Sequence, residues 1–223
     1  MKPNAVRQCA ELALKDLRLE LRAREVGLVI APFGAVALLL IPMAVDASTA
    51  LLRQLGPGMY WVVVLLFGVL VAVRDTAVEA PEQHAVLRLL GVEPAVLQMG
   101  RALANFVLVL LFELLLLPVS IALYDPDLTG WPWLLLALPL TAGGLALLGT
   151  IANSLARGLT GRSTIGPLMV VPIAVPLLLA AVQSTRAAGL GRAPWPWLLL
   201  IAVVDVAALL LLVLTAHHQE ETA

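Results

Sequence analysis

The 223-residue sequence contains little cysteine and little lysine. Its one cysteine, Cys9, excludes an intrachain disulfide, a CxxC redox pair and a cysteine-based zinc site. The lysines are Lys2 and Lys15, and no GxxxxGK[ST] string occurs, so no Walker A loop can hold a nucleotide. HExxH and GxSxG are missing too, and His217 and His218 fit a solvated helix end better than a metal site. We therefore predict no catalytic residue and no metal ligand.

Charge is scarce as well. Charged residues make up 13% of the chain and hydrophobic residues 61%, with a mean hydropathy of +0.98. These values lie outside the range of soluble globular domains, whose helices keep a polar outer face. The net charge of -1 gives no indication of a nucleic-acid partner. The high apolar content instead predicts that membrane lipids surround the chain. The composition predicts an all-α integral membrane protein.

Six runs almost free of charge are each near the ~20 residues that cross a bilayer. They predict spans at about 26–45, 54–73, 102–124, 131–156, 163–185 and 195–216. Residues 1–25 alternate charged and apolar positions at helical spacing, which predicts an amphipathic helix in the interface plane that is retained uncleaved. Residues 217–223 form the expected tail.

The distribution of positive charge predicts the orientation. An even number of spans places both termini on one side of the membrane. Eleven Lys and Arg residues fall on that side and three on the other. The eleven are Lys2, Arg7, Lys15, Arg18, Arg22, Arg24, Arg74, Arg88, Arg101, Arg157 and Arg162, and the three are Arg53, Arg186 and Arg192. This asymmetry predicts cytoplasmic termini.

The five tryptophans agree with that orientation, because interfacial indoles anchor helices at the headgroup level. Trp61 is expected to open the second span at the outer face. Trp131 and Trp133 open the fourth span in the same way, and Trp195 and Trp197 open the sixth.

The polar segment 74–101 separates the second and third apolar runs. Within it, residues 82–90 predict a short helix: Pro81 lies near its start, Val86, Leu87 and Leu90 form one apolar stripe, and Gly91 can take the left-handed cap. Such a helix either only reverses the direction of the chain or transmits the movement of a soluble partner to the spans.

Two acids, Glu113 and Asp205, lie near the middle of their runs, where a charge is costly unless it faces a cavity or a partner. Both are candidates for gating. The alternative is a structural role in which Ser120, Thr141 or Gln183 hydrogen-bonds the acid and joins two helices.

Three prolines in the fifth run, Pro167, Pro172 and Pro176, are expected to kink it and so to place it in the interior or beside a pore. A small-residue face on the fourth run, at Gly143, Gly144 and Gly149, favours close packing of another helix, from this chain or from a second copy.

Several strings, in order along nearly the whole chain, carry a family resemblance. They include the Lys15-Asp16-Leu17 start, Gly56-Pro57-Gly58, LRLLGVEPAVLQMGR, GLALLGTIANSLA and the proline-rich fifth run. Together they resemble the haem exporter protein B (CcmB) family of bacterial cytochrome c maturation. This sequence departs from the family pattern at two places. It has Gln83-His84-Ala85 where an acidic residue followed by Gly is usual, and Arg101 where Lys is expected.

The resemblance implies a six-helix, ABC-2-like (type V exporter-like) permease of the bacterial inner membrane. It implies a separate ABC ATPase that supplies the hydrolysis of ATP, a haem-handling membrane protein, a haem chaperone, and two permease copies or a permease homodimer. Haem would be transported or handled, although no residue here matches a haem ligand. Residues 79–91 would be the coupling helix, and its docking residues would be Glu79, Glu82, His84, Val86, Leu87, Arg88 and Leu90.

Two other functions fit the residues. An ABC-2 permease that exports drugs or lipids would share the same architecture. A proton-coupled carrier would use Glu113 and Asp205 directly and would need no ATPase.

Overall fold

The computed structural model describes residues 5–23, 26–45, 48–73, 93–127, 129–158 and 165–221. These residues form seven α-helices and, within the described ranges, no β-strand. The helices are α1 Ala5–Ala23, α2 Ala31–Val45, α3 Thr49–Val73, α4 Pro94–Tyr124, α5 Trp131–Gly158, α6 Ile165–Gly189 and α7 Trp195–Glu221. A π-helical stretch, Val26–Ile30, leads directly into α2.

Six helical segments in the described ranges are long and apolar enough to cross a membrane: Val26–Ala44, Thr49–Ala72, Pro94–Tyr124, Trp131–Ser154, Val170–Gly189 and Trp195–Ala216. The prediction of an all-α integral membrane fold with six spans is confirmed. Two helices extend well beyond their charge-free runs. Helix α3 begins at Thr49 rather than Gln54, and α4 begins at Pro94 rather than Ala102.

Helix α1 packs along the first turns of α4. A Cβ added at Gly100 would lie 2.9 Å from Cβ of Leu12 and 3.2 Å from the carbonyl oxygen of Cys9, so only a glycine allows this approach. The Glu20 carboxylate accepts a hydrogen bond from the backbone N–H of Val26 at 2.7 Å, which ties α1 to the first span. The amphipathic helix is therefore held against the start of α4.

Helix α5 lies at the centre of the bundle and packs against α3, α4, α6 and α7. Its small residues lie where neighbouring helices come closest. A Cβ at Gly144 would lie 2.5 Å from Oδ1 of Asp205 and 2.8 Å from Leu177, and one at Gly149 would overlap Ala72. The partners of the small-residue face are thus helices of this chain, which the sequence left open.

Two tryptophans meet where α5 and α7 begin. The rings of Trp133 and Trp195 are 5.0 Å apart and nearly perpendicular. Trp131 and Trp195 are 58% and 54% exposed, as interfacial anchors should be. We call this end of the bundle, marked by Trp131, Trp133 and Trp195, the tryptophan end.

Trp61 behaves differently from these anchors. It lies within α3, its side chain is buried, and its indole N–H donates to the Thr185 hydroxyl at 2.8 Å. The expectation that Trp61 opens the second span as an interfacial anchor is wrong, because the helix begins at Thr49 and Trp61 is buried within it. The physical reason is that a neighbouring helix supplies the polar partner that the indole would otherwise find among headgroups and water.

The chain turns at the tryptophan end through a short loop after α4. Asp125 adopts a left-handed conformation, with a φ of 43°, and its N–H donates to the carbonyl of Ile121 at 3.0 Å. Its carboxylate forms an ion pair with Arg53 of α3. The backbone N–H of Thr129 donates to Asp127 at 2.9 Å and lowers the pKa of that carboxyl. Of these contacts, the ion pair links α3 to the end of α4.

Candidate functional site

The predicted coupling helix at 79–91 lies outside the described residues. Its expected docking residues, Glu79, Glu82, His84, Val86, Leu87, Arg88 and Leu90, stay predictions. The structure does describe both helices that carry this segment: α3 ends at Val73, and α4 begins at Pro94 with Glu93 as its N-cap. The segment is therefore joined covalently to the bundle at these two helices.

Two buried side-chain amides hydrogen-bond to the backbone of α3 near Val73. The side-chain amide of Asn105, on α4, donates to the carbonyl oxygen of Ala72 at 3.2 Å, and that of Asn153, on α5, donates to the same oxygen at 3.1 Å. Asn105 also donates to the Thr150 hydroxyl at 3.3 Å. Both asparagines are almost fully buried. Three helices are thus joined at one carbonyl oxygen, just before segment 74–92.

Glu113 lies deeper in the bundle and is fully buried. The Thr141 hydroxyl of α5 donates to its Oε1 at 3.2 Å, and the Tyr60 hydroxyl of α3 donates to its backbone carbonyl at 2.9 Å. Its other oxygen, Oε2, has no hydrogen-bond partner among the described residues. Of the three partners considered from sequence, Thr141 is the one that reaches Glu113.

Asp205 of α7 faces the glycine pair of α5. Its Oδ1 lies 2.5 Å from the Cβ position of Gly144, and its Oδ2 lies 3.7 Å from the Cβ position of Gly143. Within the described part of the chain, Oδ1 is buried without a hydrogen-bond partner. The absence of a side chain on Gly144 gives the carboxyl its space.

The two acids are brought to one level of the central helix. Glu113 contacts Thr141, and Asp205 lies against Gly144, which is three residues further along α5. Three helical residues rise about 4.5 Å, so both carboxyls meet α5 within one turn. Sequence separation alone could not place them together, because they belong to α4 and α7.

The family model described as CcmB protein matches residues 7–221, nearly the whole chain. The chain belongs to the CcmB family. It is 30% identical over 204 residues to "Heme exporter protein B" of Paracoccus denitrificans, which covers 90% of this chain and 92% of that protein. It is 29% identical over 181 residues to the protein of that name from Pseudomonas aeruginosa (80% and 81% covered), and 27% over 183 residues to that from Haemophilus influenzae (81% and 82% covered).

The three prolines that were predicted to kink the fifth span occupy two kinds of position in their helix. All three prolines lie in α6, with Pro167 in its first turn and Pro172 and Pro176 inside it. A proline in the first turn removes no intrahelical hydrogen bond, so among these three only the two interior prolines withhold an intrahelical donor. The expected kink stays a prediction.

The sequence alone did not identify Asn105 and Asn153 as candidate functional residues. Their signal was present: Asn105 and Asn153 are amides within apolar runs, near the ends that adjoin segment 74–92 and residues 159–164. An amide in an apolar span needs a partner, yet its spacing does not reveal which helix supplies one.

The described residues hold no group of three or more His, Cys, Asp or Glu placed to bind a metal. This arrangement can hold helices together and can bind a proton. The amides join α3, α4 and α5 near Ala72, and the acids, Glu113 fully buried and Asp205 half-buried, offer sites within the bundle for a proton or a polar group.

Proposed function

We propose that this CcmB-family protein is the permease subunit of an ABC transporter complex for cytochrome c maturation. The match of nearly the whole chain to relatives named "Heme exporter protein B" carries the proposal. The six-span helical bundle supports it, since a permease must surround or border a path across the membrane. A separate ATPase subunit hydrolyses ATP in this proposal, and the chain itself is a transport subunit rather than an enzyme.

The mechanism couples that hydrolysis to haem export or to release of a haem-loaded chaperone. Closure of the ATPase on ATP moves residues 79–91, which dock in it as a coupling helix. The segment pushes on the end of α3 and the start of α4, and the helices carry the displacement as rigid bodies. The close packing of α5 against four other spans supports such a concerted movement.

The orientation follows from the distribution of charge. Eleven of the fourteen Lys and Arg residues fall on the predicted side of the termini, which supports cytoplasmic termini and a tryptophan end outside. The contact between Trp133 and Trp195 supports a common side for the starts of α5 and α7. Helix α1 then lies at the cytoplasmic surface, with its exposed Val6 and Leu14 toward lipid.

The complex contains, besides the ATPase, a haem-handling membrane protein and a haem chaperone. A second permease copy completes it. The membrane is the bacterial inner membrane, where these partners of cytochrome c maturation meet.

Affinity purification tests the proposal. A tagged chain, solubilised in mild detergent, should retain an ATPase subunit and a haem-handling membrane protein, and deletion of its gene should abolish c-type cytochromes. Retention of an ATPase with normal cytochromes would favour a drug or lipid exporter instead.

The second candidate is a proton-coupled carrier, favoured by the buried Glu113 and the half-buried Asp205, which meet α5 within one turn. In that case no ATPase would be retained, and transport would follow an imposed proton gradient. Glu113→Gln would then abolish transport driven by the gradient.

A further inference from the structure

The Ala72 carbonyl differs from the other hydrogen-bonded carbonyls near it. Ala72 is the next-to-last residue that the structure describes in α3, close to the point where segment 74–92 begins. The nearby hydroxyls of Thr150 and Ser154 donate within their own helix, to Ala146 and Ile151. Asn105 and Asn153 donate instead to another helix, and to the same oxygen.

The geometry at this point is tight. The Cβ position of Gly149 is 3.1 Å from the Ala72 carbonyl carbon and 3.1 Å from its oxygen, so the backbones of α3 and α5 almost touch. Each asparagine is buried and cannot exchange its bond for one to water without opening the bundle. The end of α3 is therefore fixed to α4 and α5 at the position where it leaves for segment 74–92.

We propose that Asn105 and Asn153 are positioning residues for coupling. By holding the Ala72 carbonyl they join α3, α4 and α5, so that a displacement of segment 74–92 moves the three spans as one unit. Without them, the end of α3 would move alone, and the ATPase would turn over with little effect on the rest of the bundle. This inference rests on the proposed function, because it needs an ATPase that acts on that segment.

The test uses the intact complex and three readouts: recovery of the ATPase subunit, its ATP hydrolysis, and formation of c-type cytochromes. In Asn105→Ala with Asn153→Ala, we expect normal recovery and continued hydrolysis. Cytochrome formed per ATP hydrolysed should fall roughly tenfold or more, because the hydrogen bonds lost from the two amides together exceed the net free energy that corresponds to a tenfold change. Each single variant keeps one donor on Ala72, so it should fold normally and show a smaller loss.

Ser154→Ala is the matched control, because Ser154 lies next to Asn153, is buried, and bonds only within its own helix. It should leave all three readouts unchanged. Normal cytochrome yield per ATP in the double variant and in both single variants would overturn the inference. Loss of ATPase recovery in the single variants would also overturn it, since the amides would then hold the docking segment in place rather than relay its motion. If the wild-type complex holds no ATPase, the proposed function itself has failed.

Discussion

The indole N–H of Trp61, on α3, donates to the hydroxyl oxygen of Thr185, on α6, at 2.8 Å. The Thr185 hydroxyl in turn donates to the carbonyl of Ala181 in its own helix at 2.9 Å. The hydroxyl therefore acts as acceptor and donor at once. Because Trp61 is 1% exposed, this bond is shielded from water and lipid and sets how α3 and α6 are rotated against each other.

Removal of either partner of this bond should destabilise the protein. Trp61→Phe and Thr185→Val are each expected to cost roughly 1 kcal/mol from the hydrogen bond, with a further loss of packing in Trp61→Phe. The double variant should cost clearly less than the sum, because both changes remove the same bond. Thermal unfolding in detergent measures these effects. Thr215→Val, whose hydroxyl bonds only Leu212 of its own helix, serves as the control, and strictly additive losses would contradict the coupling.

Gly149→Ala should disturb the contact between α3 and α5. Its added Cβ would overlap Ala72, including backbone atoms, and overpacking of this kind costs about 1–3 kcal/mol. Gly58→Ala is the control, since nothing lies within 4 Å of its Cβ position. The yield of monodisperse protein after heating should fall for the first variant only. Equal heat resistance of the two variants would argue against the close approach.

Glu113→Gln separates a gating carboxyl from a structural one. The amide oxygen of Gln can still accept the bond from Thr141, so insertion and yield should stay normal. Loss of the ionisable group should lower cytochrome c formation several-fold if the carboxyl gates transport. Thr141→Val removes the hydrogen bond but keeps the acid, and should have the smaller effect. Full cytochrome formation with Glu113→Gln would assign Glu113 a structural role.

The orientation can be tested with a fused enzyme that is active only outside the cytoplasm. Fusions after Asp127 or Gly191 should be active, because both residues lie in loops at the tryptophan end. Fusions after Glu93 or Gly161 should be silent. The reverse pattern would invert the proposed topology.

The docking segment is tested by its apolar stripe. Leu87→Ala with Leu90→Ala should leave the protein in the membrane at normal level yet remove the ATPase subunit from the solubilised complex, since each buried leucine contributes roughly 1.5–3 kcal/mol. Glu82→Ala should weaken retention only slightly, because a rim charge contributes under about 1 kcal/mol. Normal ATPase recovery with the double leucine variant would mean that the segment only turns the chain.

The sequence by itself determined the class of fold. Runs of some 20 apolar residues have one stable solution in lipid, a helix that pairs every backbone group internally, so the six spans follow from local composition. Glu113 and Asp205 were recognisable for the same reason, since an acid in such a run stands out whatever surrounds it. The family resemblance was also readable in the order of the strings along the chain.

Tertiary structure decided which helix faces which. Apolar spans carry no strong periodicity, so nothing local states that Trp61 turns inward to Thr185, or that Gly149 meets Ala72 rather than a second copy. Glu113 had three possible partners in sequence, and only packing selected Thr141. Packing also brings Asn105 and Asn153 to the same acceptor, the Ala72 carbonyl. The physical reason is that a hydrogen bond between helices depends on their rotation and depth, which the packing of all six spans sets together.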